Sequence, residues 1–69
     1  MANRLRELRK SKGITQFELA DRAHVARSVI ARFETGRTVM STKNLASVCR
    51  VLGCRVDDIL KEAVDGKAV

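Results

Sequence analysis

Apolar residues recur along this chain at three- and four-residue intervals and never alternate for long, so the pattern predicts helices and no strands. The clearest run is Leu45, Val48, Cys49 and Leu52, spaced i, i+3, i+4 and i+7, which lays one apolar stripe along a helix. Val56, Ile59, Leu60 and Ala63 repeat that spacing. The chain has no proline, so its glycines are the main punctuation. Gly13, Gly36 and Gly53 fall where the periodicity breaks, and each suits the left-handed residue that ends a helix.

Five helices follow. The first runs from about Asn3 to Lys12, with Leu5 and Leu8 as a thin stripe and Lys10 and Lys12 at the negative end of its dipole. The second covers about 16–23. Thr15-Gln16-Phe17-Glu18 is a capping box, and Ile14 can staple onto Leu19 across it. Leu19, Ala20 and Ala23 face inward. The third helix covers about 27–35, anchored by Ile30 and Phe33, with Val25 stapling onto Ile30. The fourth starts at Ser41 as N-cap, with Met40 stapling onto Leu45. The fifth carries Asp57 and Asp58 in its first turn, where the dipole favours anions. The expected fold class is all-α, a compact five-helix domain over residues 1–64 with a fraying tail at 65–69.

Sixty-nine residues allow one small domain, and the core must be aliphatic, since Phe17 and Phe33 are the only aromatics. Cys49 lies on the inward face of the fourth helix and reads as core packing. Cys54 follows Gly53 and is expected partly buried, with a redox pair as the alternative. One histidine makes no zinc set, and no nucleophile stands near a base. An enzyme, a metal, a cofactor and a small-molecule ligand are therefore not expected. Net charge of +6 and an isoelectric point near 10.2 favour a polyanion, either nucleic acid or anionic lipid. Residues 1–37 carry nine Arg or Lys against four Asp or Glu, so the partner should meet the first half. With no signal-peptide pattern and no apolar run near the roughly 20 residues of a membrane span, a cytoplasmic location is expected.

Only His24-Val25-Ala26 separate the second and third helices, and a turn that short sets them at a large angle. The third helix then keeps an outward face of Arg27, Ser28, Ala31 and Arg32, with Val29 beside it. Small residues let a helix approach base edges, and arginine can donate bidentately to guanine. Arg27 opposes the helix dipole at roughly 0.3–1 kcal/mol, and an alanine N-cap forgoes about 1 kcal/mol relative to serine. A helix with so poor a start fits function better than stability. The alternative is that both arginines are ordinary solvated charges.

Gly13-Ile14-Thr15-Gln16-Phe17-Glu18-Leu19-Ala20, then Val25, then Ile30-Ala31-Arg32-Phe33-Glu34-Thr35-Gly36 resemble the Cro and lambda-repressor type of helix-turn-helix domain, the Xre family. Leu52-Gly53 and Asp57-Asp58-Ile59-Leu60 match its usual end, so the resemblance covers about residues 3–62. It implies a transcriptional regulator, a repressor by preference, that binds double-stranded DNA as a homodimer on an inverted repeat. It implies base reading by Arg27, Ser28, Arg32 and Val29, and backbone contacts from Gln16, Thr35, Arg37 and Lys43. Gln16 would also brace the recognition helix, and Arg9 with Glu34 would form an internal ion pair. Val39, Met40, Val56 and Ile59 are the candidates for the dimer surface. The chain departs from the pattern at His24, where glycine is frequent, and at Ala26, where serine or threonine is. It departs again at Met40, where proline is common, and at Phe17, usually polar, which packs on the first helix or on a partner. Two other classes remain open: a protein-binding module such as an antitoxin that also binds its own promoter, and a membrane-surface domain.

Overall fold

The computed structural model describes residues 3–60 as five helices: α1 (Leu5–Ser11), α2 (Gln16–Ala23), α3 (Arg27–Glu34), α4 (Thr42–Leu52) and α5 (Val56–Leu60). No strand occurs among the described residues. Ala63, expected on the last helix, and the expected tail at 65–69 lie outside them.

The same device starts α2, α3 and α4. An apolar residue just outside the cap shares the core with the residue at the fourth helical position. Ile14 and Leu19, Val25 and Ile30, and Met40 and Leu45 form these pairs, all within or against one buried cluster. Hydroxyl caps add to it at two of the three. The Thr15 hydroxyl accepts from the Glu18 N–H at 3.0 Å while the Glu18 carboxylate accepts from the Thr15 N–H at 2.9 Å, a complete capping box. Ser41 accepts from the Asn44 N–H at 3.1 Å. At α3 the cap position is Ala26, which makes no side-chain bond.

The stapling explains a correction. Met40 and Ile59, expected on a dimer surface, are core residues, 6% and 0% exposed. Met40 is drawn inward by its place before the Ser41 cap, and Ile59 is the inward residue of α5. Leu5, Leu19, Ile30, Val48 and Leu52 complete the centre of the core. α2 packs against both α3 and α4, and α5 joins α4 to α1. The Arg4 N–H donates to the Ile59 carbonyl at 2.8 Å and closes the domain at that end.

His24 ends α2 at φ 58 and ψ 44, the left-handed conformation that glycine usually supplies. The turn therefore takes the conformation that glycine would adopt freely, at the expense of a strained non-glycine residue. An L-residue in this region is disfavoured by roughly 1–2 kcal/mol.

α1 is shorter than the spacing suggested, because Asn3 is used elsewhere. Its side-chain oxygen accepts from the Leu5 N–H at 3.1 Å, and its amide donates to the Phe33 carbonyl at 2.6 Å. This clasp binds the segment before α1 to the end of α3.

Candidate nucleic-acid interface

The orientation of α3 is set from beneath. Ile30 and Phe33 are buried, 0% and 4% exposed, and hold one side of the helix to the core. Glu34, at its last turn, accepts from the Arg9 Nε at 2.7 Å, from Arg9 Nη2 at 3.2 Å and from Gln16 Nε2 at 3.0 Å. Arg9 also donates through Nη1 to the Ile14 carbonyl at 2.9 Å. The two charged side chains are only 9% and 2% exposed, so one buried carboxylate ties together α1, the turn after it, α2 and α3. The expected Arg9–Glu34 pair is present, and Gln16 is engaged in bracing. The Gln16 amide has two protons, one of which remains for an outside acceptor.

The opposite side of α3 is free. Arg27, Ser28 and Arg32 are exposed and, with half-buried Ala31, occupy one face of the helix. Neither arginine makes an ion pair with a described residue. Val29 is half-buried and packs against the core, so it presents less surface than the other three. Gly36 at φ 77 ends the helix, with its own N–H bonded to the Phe33 carbonyl at 3.0 Å and the Arg37 N–H to the Arg32 carbonyl at 2.8 Å. This double closure places exposed Arg37 just beyond the exposed face. The Thr35 hydroxyl turns back to the Arg32 carbonyl at 3.1 Å and the Ala31 carbonyl at 3.4 Å, so its proton already has acceptors. Lys43 is exposed in the first turn of α4.

An open groove of about 500 Å³ runs beside the start of α3. Lys10 from α1, Thr15, Gln16 and Phe17 from the start of α2, and Arg27 from α3 line it. Phe17 is 64% exposed and does not join the core. The positive end of the α2 dipole adds to the cationic character of these walls.

One functional contribution was not visible in the sequence. Asn3 reaches the end of α3 across 30 residues, and no local pattern signals such a contact. The cysteines are as expected in position: Cys49 is buried and Cys54 half-buried. Burial pushes the Cys49 thiol up to about 11 and raises Cys54 too. No cluster of described residues could hold a metal ion, and no described helix is long and apolar enough to cross a membrane.

Two helices crossing at a three-residue turn, the second presenting free arginines, is the arrangement of a known family, and a match over residues 5–59 to the family described as Helix-turn-helix decides it. The chain belongs to the helix-turn-helix family, of the lambda-repressor type. That family consists of DNA-binding transcription regulators rather than enzymes. Among its members, the immunity repressor protein of Bacillus phage phi105 is 34% identical over 62 residues, covering 90% of this chain and 43% of that protein. An HTH-type transcriptional regulator of Archaeoglobus fulgidus is 36% identical over 59 residues, covering 86% of this chain and 84% of that protein. The solved structure of the restriction-modification controller protein C.AhdI from Aeromonas hydrophila superposes with a TM-score of 0.75 at 33% identity, over 80% of this chain and 83% of that one. The chain thus spans less than half the length of the phage repressor. The buried Arg9–Glu34–Gln16 network lies wholly within the matched segment, and the Asn3 residue of the clasp lies just before it.

Proposed function

We propose that this protein is a transcriptional regulator, a repressor by preference, that binds double-stranded DNA sequence-specifically with α3 in the major groove. The observation that carries this reading is the exposed face of Arg27, Ser28 and Arg32, without ion pairs and held rigidly by Ile30, Phe33 and Glu34. A rigid helix with unpaired arginines beside small residues fits base edges in the major groove. Arg37, the spare Gln16 proton and Lys43 set the register on phosphates, and Thr35 is a weaker contributor because its hydroxyl bonds to its own helix. Val29 contributes apolar contact at most along one edge.

The protein acts as a homodimer on an inverted repeat, with half-sites about one helical turn apart. Support comes from the apolar surface left outside the core: Val39 is 84% exposed, Leu60 is 50% exposed, and Val56 is half-buried. Val39 and Val56 therefore stand as dimer candidates and Leu60 joins them, while the core residues Met40 and Ile59 do not. The expected location is the cytoplasm. The phage immunity repressor is 34% identical, against 28% for an HTH-type transcriptional activator of Enterococcus faecalis, and this favours repression as the sense of regulation.

Selection of bound sequences from random duplex DNA tests the reading. An enriched, inverted-repeat motif whose binding weakens steeply with salt is the expected result. No enrichment, or salt-insensitive binding, would overturn it.

A further inference from the structure

Phe17 has no structural reason to be where it is. Its ring is 64% exposed on a helix whose other apolar residues, Leu19, Ala20 and Ala23, are buried. It stands in the wall of the groove that Lys10, Gln16 and Arg27 also line, and neither Lys10 nor Arg27 makes an ion pair with a described residue. An occupant must therefore satisfy two demands within one groove: acceptor groups for the two cations, an anionic one at Lys10, and apolar surface for the ring. The nucleic-acid backbone meets both, because it alternates phosphates with largely apolar deoxyriboses. The groove also adjoins the face already assigned to DNA, since Arg27 belongs to both.

We propose that Phe17 packs on a deoxyribose of the DNA backbone at the edge of each half-site, with Lys10 meeting a flanking phosphate while Arg27 reaches past it toward the bases. This rests on the DNA-binding reading above and extends the interface to the end of α1. The contact is to sugar, so it adds affinity for any duplex and no base preference.

The test compares wild type, Phe17→Ala, Phe17→Leu and Lys10→Gln on two labelled duplexes, the selected site and a scrambled one, across a salt series. Phe17→Ala should bind both duplexes about tenfold more weakly, leaving their ratio and the salt slope unchanged. Phe17→Leu should recover part of the loss. Lys10→Gln should instead reduce the salt slope by about one. Hydroxyl-radical footprinting, which reads sugar exposure, should lose protection at the site edge in Phe17→Ala. Thermal melts should match wild type, because the ring is outside the core. If Phe17→Ala binds both duplexes and protects the sugars as wild type does, the proposal is wrong. If wild type itself selects no DNA, the underlying DNA reading fails instead, and the two failures are told apart by that first measurement.

Discussion

Replacing Glu34 by alanine tests the reasoning about how α3 is held. The substitution removes the acceptor of three N–H bonds, two from Arg9 and one from Gln16, and leaves the Arg9 guanidinium in a site where its side chain is 9% exposed. Its surviving bond, to the Ile14 carbonyl, is to a neutral group. Breaking one side of a buried ion pair typically destabilises by about 3–5 kcal/mol, because the remaining charge is uncompensated. A domain of this size has roughly 3–10 kcal/mol in total, at about 0.05–0.15 kcal/mol per residue. Glu34→Ala should therefore lose most of its stability in urea unfolding followed by far-ultraviolet circular dichroism. The double variant Arg9→Met, Glu34→Leu removes both charges and should return to within about 1–2 kcal/mol of wild type, since apolar replacement of a buried pair is often neutral. DNA affinity should not return with it, because Gln16 has lost the partner that orients it. A loss below about 1 kcal/mol in Glu34→Ala, or a double variant as unstable as the single one, would refute the argument.

Other expectations follow from the same geometry. Arg27→Ala and Arg32→Ala should each weaken binding to the selected site by roughly 1–3 kcal/mol and relax base preference there, with thermal stability unchanged; repeated selection with each variant checks it. His24→Gly relieves the left-handed strain at φ 58 and should stabilise the domain by about 0.5–1 kcal/mol in urea unfolding, after the added backbone entropy of glycine is counted. Cys49, with its thiol pushed up to about 11 by burial, should react with iodoacetamide far more slowly than Cys54 near neutral pH, as peptide mapping of the alkylated protein would show. Because the folded thiol holds its proton more tightly than the unfolded one, its contribution to stability is present below about pH 9 and is lost as pH rises toward 11; Cys49→Ala should flatten that alkaline decline.

The helices were legible because their start signals are local. Each staple pair and each hydroxyl cap lies within six residues, and the glycines mark three of the ends. Two kinds of information were not local. Apolarity alone does not say whether a side chain meets its own core or another chain, so the sequence places Met40 and Ile59 equally well on a partner surface or in the core that both occupy. Contacts across the chain leave no periodic trace, so the Asn3 clasp on Phe33 could not be anticipated. The Asn3 clasp bears directly on α3, whose own sequence is odd. By local chemistry α3 is a poor helix, with an alanine cap that makes no side-chain bond, a cation in its first turn and only eight residues. Its stability comes from elsewhere: Val25 and Ile30 at its start, Phe33 and the Glu34 network at its end, and Asn3 on the Phe33 carbonyl. None of these groups lies on the face of Arg27, Ser28 and Arg32. Substitutions on that face should therefore change what the helix recognises without unfolding it, whereas those beneath it should do the reverse. On the proposed reading, the residues that hold the helix are separate from the residues that read with it, and that separation is what lets a short, badly capped helix carry sequence recognition.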